Sequence, residues 1–446
     1  MAGQVGKASG DAPAKRRRSW KARLKDPGRG VHRLVRRLAF VLLRLVARGR
    51  IRPAHGERPV VRVLLQHAYG TGGTIRTVLG TCGFLARDHD VEIVSVIRWR
   101  DDPFFPVPDG VRVTFADDRR PGAHGPAAGR LLHLSRRVLR RLPSILTPLE
   151  DASFRDMNLL TDLRLVRAVL AGPADVLMGT RPSLVLLLAE LAPKGVVTIG
   201  QDHRHLPGYR PALRGEILRR YGRLSVLVAL TETARDGFAR ALADTPVRIV
   251  AIPNALPALR GGLSPRTAPV VLAAGRLVRA KGFDMLIKAY APLVDKHPEW
   301  RLRIHGTGAR EARLRKQIAE LGVGDRIELL PRTDIAGALE RASVYALSSR
   351  YEGMPLVLLE AMSKGVAVVS FDCPAGPAEM IEDGVNGLLV PPRDLDALTA
   401  ALDRLMSDRD LRDRLGDAAP AATERYHLDR IGPLWIRLLD ETLARH

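Results

Sequence analysis

Cysteine, aromatic side chains and long apolar runs are all scarce in this chain, and each scarcity removes a class of function. Two cysteines in 446 residues, Cys82 and Cys373, allow neither a disulfide framework nor a cysteine-based zinc cluster, and they suit a reducing compartment. Aromatics make up only 4% and are not interleaved with the basic runs, so stacking platforms for single-stranded nucleic acid are missing. The apolar stretch from Leu38 to Ala47 is too short to span a bilayer and contains Arg44. No small-residue cleavage site with a cysteine-rich body follows, so a signal peptide is not expected and cytoplasm is the default.

What is present is a globular composition, 46% apolar, long enough for two ordinary domains with sizeable cores. The formal charge of +23 is unevenly spread: residues 1–58 hold 17 Lys or Arg against Asp11, Asp26 and Glu57, a net of +14, which leaves the body at +9. The opening "KRRRSWKARLK" cannot bury enough apolar area to fold. The following "VHRLVRRLAFVLLRLVARGRIR" predicts an amphipathic helix, with Val31, Leu34, Val35, Leu38, Val41, Leu42 and Leu45 on one face and Arg33, Arg36, Arg37, Arg44 and Arg48 largely on another. Two readings stand: residues 1–50 hold the protein on an anionic membrane surface, or the helix docks on its own protein beside a solvated basic tail.

From Val60 onward, short β-branched runs alternate with helical stretches. "VVRVLLQHA", "DVEIVSVIR", "ADVLMGT", "GVVTIGQDH" and "LSVLVALT" read as buried parallel strands. Past a Pro- and Gly-rich stretch at 253–269 the pattern restarts with "APVVLAAGRL", "RLRIHGTG", "RIELLP", "SVYALSS" and "VAVVSF". The expected fold is therefore α/β, two doubly wound Rossmann-like domains facing across a cleft and preceded by a basic N-terminal arm. Expected bounds are 1–58 for the arm, 59–258 for the first domain, 259–420 for the second, and 421–446 for a terminal helix. A basic loop and helix at 117–150 interrupts the first domain.

In such sheets ligands bind beyond the carboxyl ends of strands, which directs attention to four loops. "YGTGGTIRTVLG" offers Gly70, Gly72 and Gly73 before a helix start, either a plain turn or an anion loop; it has neither Walker nor dinucleotide spacing. "GRLVRAKGFDML" places Arg276 and Lys281 around a strand–helix junction, as surface cations or as a clamp on a diphosphate. "HGTGAR" supplies Gly306 and Gly308, a turn that is either structural or open to a planar base. The fourth, "SSRYEGMPLVLLEAMSKG", breaks an apolar run with Glu360, eight positions after Glu352. Pro355 suits the first turn of a helix ending at Gly365, so the amides of Gly353, Met354 and Leu356 lie between the two carboxylates. Carboxylates at either end and amides in the middle match a sugar joined through diphosphate to a ribonucleoside, with Glu360 accepting from the ribose and Glu352 from the sugar.

This stretch resembles the signature of family-4 retaining glycosyltransferases of the GT-B fold (glycosyl transferases group 1). The likeness extends through "IPNALP", "GRLVRAKGFDML", "IHGTGARE", "SSRYEGMPLVLLEAMSKGVAVVSFDCPAGPAEMI" and "DGVNGLLVPP", nearly all of residues 250–415. It implies that Arg276 and Lys281 bind the donor diphosphate, Glu352 the sugar and Glu360 the ribose. Gly72 and Gly73 correspond to the family's first-loop glycines. "GQDHRHL" resembles its His-bearing loop, which places His203 near the donor sugar, with His205 two residues away and Asp202 as a structural or orienting neighbour. "DCPAGPAEMI" resembles members that use UDP-sugars. The resemblance thus implies a retaining hexosyltransferase that moves a sugar from a nucleotide-sugar to a hydroxyl acceptor, and the basic arm, if it holds the protein on the inner face of the membrane, points to an acceptor that is lipid-linked or otherwise part of the cell envelope.

No cofactor and no metal are expected, because Arg276 and Lys281 would stabilise the leaving group and no Asp-x-Asp pair follows a strand. Transfer to a soluble metabolite or a growing polysaccharide is the alternative within the class. A non-catalytic nucleic-acid or membrane-binding protein built on the arm is the rival from another class; the missing aromatics argue against nucleic acid, and the full set of donor-site charges argues against a dead scaffold.

Overall fold

The computed structural model describes residues 27–47, 51–54, 56–121, 130–191 and 193–446. The "KRRRSWKARLK" portion of the expected arm lies outside them. Seven strands form the first sheet: β1 (Val60–Leu65), β2 (Asp90–Arg98), β3 (Val111–Asp118), β4 (Val176–Gly179), β5 (Val197–Asp202), β6 (Val226–Ala229) and β7 (Arg248–Ala251), all parallel in the order β3-β2-β1-β4-β5-β6-β7. Six more form the second: β8 (Val270–Ala274), β9 (Arg301–His305), β10 (Ile327–Leu330), β11 (Val344–Leu347), β12 (Ala367–Phe371) and β13 (Leu388–Val390), again parallel, in the order β10-β9-β8-β11-β12-β13. Central strands such as β4, β5, β6, β11 and β12 are buried along their whole length, which is why each reads as an unbroken apolar run.

Strand order reverses between β1 and β4 in one sheet and between β8 and β11 in the other. These are the two switch points beyond which ligands bind in doubly wound sheets. Helices cover both faces of each sheet. The last helix, Leu428–Leu443, returns to the first domain: Ile431, Trp435, Leu438 and Leu439 share a core with Leu79, Leu85 and Val228. Gly432 is needed there, because a Cβ would meet the Phe84 ring at 2.5 Å.

The N-terminal amphipathic helix is present as Pro27–Ala47. It docks on the first domain through a narrow side made of Arg36 with Phe40 and Ala47, which join the domain core, rather than through the predicted apolar face. Arg36, Phe40 and Ala47 are buried, and Arg36 Nη1 bonds Glu216 at 2.6 Å. The apolar side chains predicted to form one face point outward. Among the described residues no helix is long and apolar enough to cross a membrane.

Candidate active site at the interdomain cleft

The loop after β11 carries both predicted carboxylates. Pro355 caps the Leu356–Ser363 helix, and Gly365, at φ 67°, turns the chain out of its C-terminal end. Glu360 lies in this helix at 7% exposure, and burial pushes its carboxyl up to about 7, with Arg76 only partly offsetting that rise. Arg76 sits in the first turn of the Gly73–Leu85 helix of the other domain, and its Nη1 reaches Glu360 Oε1 at 2.8 Å. Glu352 accepts from Lys281 Nζ at 2.6 Å and from the Ser349 hydroxyl. Arg350 makes a two-pronged bond to Asp284, 2.7 Å on each arm, and so ties the loop to the Phe283–Tyr290 helix that begins just after Lys281.

Of the three amides expected to cradle a phosphate, those of Gly353 and Met354 have no hydrogen-bond partner among the described residues. The Leu356 amide is already taken by Met354 O at 3.0 Å. A tight turn centred on Pro355 consumes it, so the predicted cradle is narrower by one donor. Arg276 is exposed just past β8, on the loop that also carries Lys281, and forms no ion pair among the described residues.

The glycines have specific steric reasons. A Cβ on Gly306 would lie 1.9 Å from Gly275 O, and one on Gly308 2.5 Å from Leu277 O, so the loops after β8 and β9 run backbone against backbone. A Cβ on Gly353 would strike His203 O at 2.0 Å, and one on Gly73 would meet Leu356 Cδ1 at 2.9 Å. Gly72 takes φ 138° at the start of the Gly73–Leu85 helix. Gly73 and Gly353 therefore let the two domains approach at the loop after β11 itself.

His203 follows β5 and is drawn to the same place by that contact. Burial, and secondarily Arg181, push its imidazole down to about 4, so it is neutral at pH 7; its buried Nε2 has no partner among the described residues. His205 is used differently, its Nδ1 lying 3.2 Å from the Glu352 carbonyl oxygen. Asp202 accepts from the Tyr209 hydroxyl and from Arg204 N, and no bond to the His203 ring is seen, which makes it a fastening of its own loop. Sequence reasoning missed Arg76 and Ser349. The only signal for Arg76 was its position in the first turn after the glycine loop.

With that geometry in view, the comparisons with known proteins are specific. Residues 260–422 match the family model for glycosyl transferases group 1. An exopolysaccharide phosphotransferase of Streptomyces coelicolor is 38% identical over 382 residues, covering 84% of this chain and 40% of its own length. An uncharacterized glycosyltransferase of Haemophilus influenzae is 31% identical over 48% of this chain and 60% of its own. The chain thus spans less than two thirds of these two relatives. The amylovoran biosynthesis glycosyltransferase AmsD of Erwinia amylovora is 26% identical over 85% of this chain and 99% of its own.

Among solved structures, a mutant of S. aureus TarM in complex with fondaparinux, α-GlcNAc-glycerol and UDP superposes with TM-score 0.67 at 15% identity, covering 85% of this chain and 99% of that one. A sucrose-phosphate synthase from Thermosynechococcus elongatus gives 0.67 at 18% identity, over 87% and 100%. At such identities these likenesses speak for the fold, which is GT-B. The matched segment, residues 260–422, contains Arg276, Lys281, Glu352 and Glu360 and nearly all of the second domain, so it is this domain, with its cleft-facing charges, that is similar to glycosyl transferases group 1.

Proposed function

We propose that this protein is a metal-independent, retaining glycosyltransferase of the family-4 type that moves a sugar from a nucleoside-diphosphate sugar, a UDP-sugar first, to a hydroxyl of a membrane-associated or cell-envelope acceptor. The observation that carries the reading is the donor loop: two carboxylates flank the unpartnered amides of Gly353 and Met354, with Lys281 reaching in beside Glu352. Glu360 accepts from the ribose diol once Arg76 yields it. Glu352, held by Lys281 and Ser349, is oriented as an acceptor for sugar hydroxyls rather than freed as a nucleophile. Neutral His203 offers Nε2 to the same sugar.

In the reaction the anomeric carbon–oxygen bond to diphosphate breaks and a bond to the acceptor oxygen forms. The acceptor's proton passes to the departing phosphate oxygen on the same face. Negative charge grows on the leaving group, and Arg276, Lys281 and the two amides are the groups that stabilise it. The exopolysaccharide and amylovoran roles for which the Streptomyces coelicolor and Erwinia amylovora relatives are named support a polysaccharide-type acceptor, and the UDP in the TarM complex supports the nucleotide.

The test is a panel of nucleotide sugars scored for hydrolysis, followed by transfer with and without EDTA. A UDP-sugar should be cleaved, and chelation should leave the rate unchanged. Loss of activity in EDTA with recovery on adding magnesium or manganese would overturn the leaving-group account.

A further inference from the structure

A helix on the surface of a water-soluble domain ordinarily turns its apolar stripe to the core and its charges to solvent. The Pro27–Ala47 helix turns Phe40 and Ala47 to the core together with a charge, and sends its wider apolar stripe to solvent. Val31, Leu34, Leu38, Val41, Leu42 and Leu45 are each more than half exposed, whereas Arg36 is 3% exposed. At about 100° per residue these six side chains fall within one sector opposite Arg36. The orientation is held by polar bonds: Arg36 Nε donates to Leu146 O at 2.8 Å, Arg36 Nη1 to Glu216 at 2.6 Å, His32 Nε2 to Ser144 O at 2.9 Å, and Arg44 to Glu190. A continuous apolar face mounted rigidly outward is the mark of an interaction surface.

A second feature says what kind of partner it fits. Next to this face runs a groove of about 380 Å³ walled by Arg37, Arg44, Arg219, Arg220 and Arg223, with Val41 of the apolar face also in its lining. Together with Arg36, six guanidinium groups stand here against two carboxylates, Glu190 and Glu216. The surplus is positive directly beside the apolar patch. Pairing with a second copy of this chain would bring two such surpluses together, whereas an anionic lipid surface supplies both acyl chains and phosphate.

We infer that this face docks on an anionic membrane surface, the six apolar side chains entering the acyl boundary and the arginine groove receiving lipid phosphates. The helix lies on the membrane and does not cross it. Because the helix is fastened to the first domain, attachment also fixes how that domain stands on the bilayer. The inference does not depend on the proposed reaction.

The test uses the full chain and sedimentation with two vesicle preparations, phosphatidylcholine alone and phosphatidylcholine mixed in equal parts with phosphatidylglycerol. Wild type should sediment with the mixed vesicles and little with the neutral ones, and raised salt should release it. Leu38→Asp with Leu42→Asp should weaken attachment to the mixed vesicles by roughly tenfold or more, because charge is placed on the entering face. Arg37→Glu should weaken it less and only on mixed vesicles. Thermal unfolding of both variants should match wild type, since none of the three residues is buried. Equal sedimentation of wild type and the double variant, or equal binding of wild type to both vesicle types, would overturn the inference. So would a wild-type dimer that the double variant dissociates without any vesicle binding, which would assign the face to a second copy.

Discussion

Glu360 is a buried carboxylate with one partner that belongs to the other domain, and its behaviour follows from that. A ribose diol donates two hydrogen bonds to the ionised form, so Glu360→Ala should cost on the order of 2 to 3 kcal/mol of nucleoside diphosphate binding through unpaired hydroxyls. Unchanged affinity in calorimetry would remove the ribose assignment. The raised carboxyl adds a pH test with a definite sign. Ionisation proceeds as pH rises through about 7, so affinity should climb across that range. Uridine is the right probe, since it carries no phosphate that titrates there. Glu360→Gln should flatten the profile, and Arg76→Met, which removes the group holding the carboxyl down, should move the midpoint upward. A wild-type profile already flat between pH 6 and 8 would contradict the burial argument. The cations on the neighbouring loop behave differently: Arg276→Ala should lower turnover more than it weakens uridine binding, because its partner charge grows as the glycosidic bond breaks. Equal loss of affinity for uridine and for UDP would reject that.

At the scale of elements, the inverted docking of the Pro27–Ala47 helix changes what its loss should do. Removing the arm through residue 50 takes Arg36 and Arg44 from Glu216 and Glu190, which are 7% and 3% exposed, and leaves buried carboxylates with fewer partners. Breaking a buried pair costs about 3 to 5 kcal/mol, and the lower end applies here because Arg219, Arg220 and Arg223 remain. Arg36→Ala alone should therefore depress the melting temperature by several degrees; no change would show that the helix is an appendage. Helix existence was legible in the sequence, and its docked side was not, because hydrophobic periodicity predicts which residues share a face without saying whether lipid or protein covers it. Strands show the same limit. All ten predicted runs are strands, while β3, β7 and β13 went unread. Each of these is an edge strand, and β3 and β7, "VRVTFADD" and "RIVA", are mostly half-buried and so lack a continuous apolar run. At the site, Glu360 stood out because a charge interrupts an apolar helix. Arg76 carried no such signal, since its partner is 284 residues away and arginine is common throughout this chain.

Across the whole molecule, two domains of comparable size meet across the cleft through close packing and a few polar points, and relative motion is the default for domains so joined. One point is the Arg76–Glu360 pair, which a bound ribose would loosen. Another lies outside the ligand groups: the Glu379 carboxylate accepts from Glu232 N and Thr233 N, both at 2.9 Å, at the start of the Glu232–Ala241 helix. A carboxylate on a helix N-terminus contributes on the order of 1 kcal/mol, and here that energy is spent holding the domains together. Glu379→Ala should then shift the balance between closed and open forms about fivefold toward open. Because Glu379 is neither one of the two carboxylates proposed to hold the donor nor part of the proposed diphosphate clamp, the donor KM should rise by up to that factor as the binding-competent fraction falls, while kcat changes little. Small-angle scattering gives the independent readout. The variant's radius of gyration should exceed that of wild type without nucleotide and return to the wild-type value at saturating UDP. A radius that is equal in both states, or a KM unmoved by the substitution, would mean that the Glu379 contact does not hold the cleft closed.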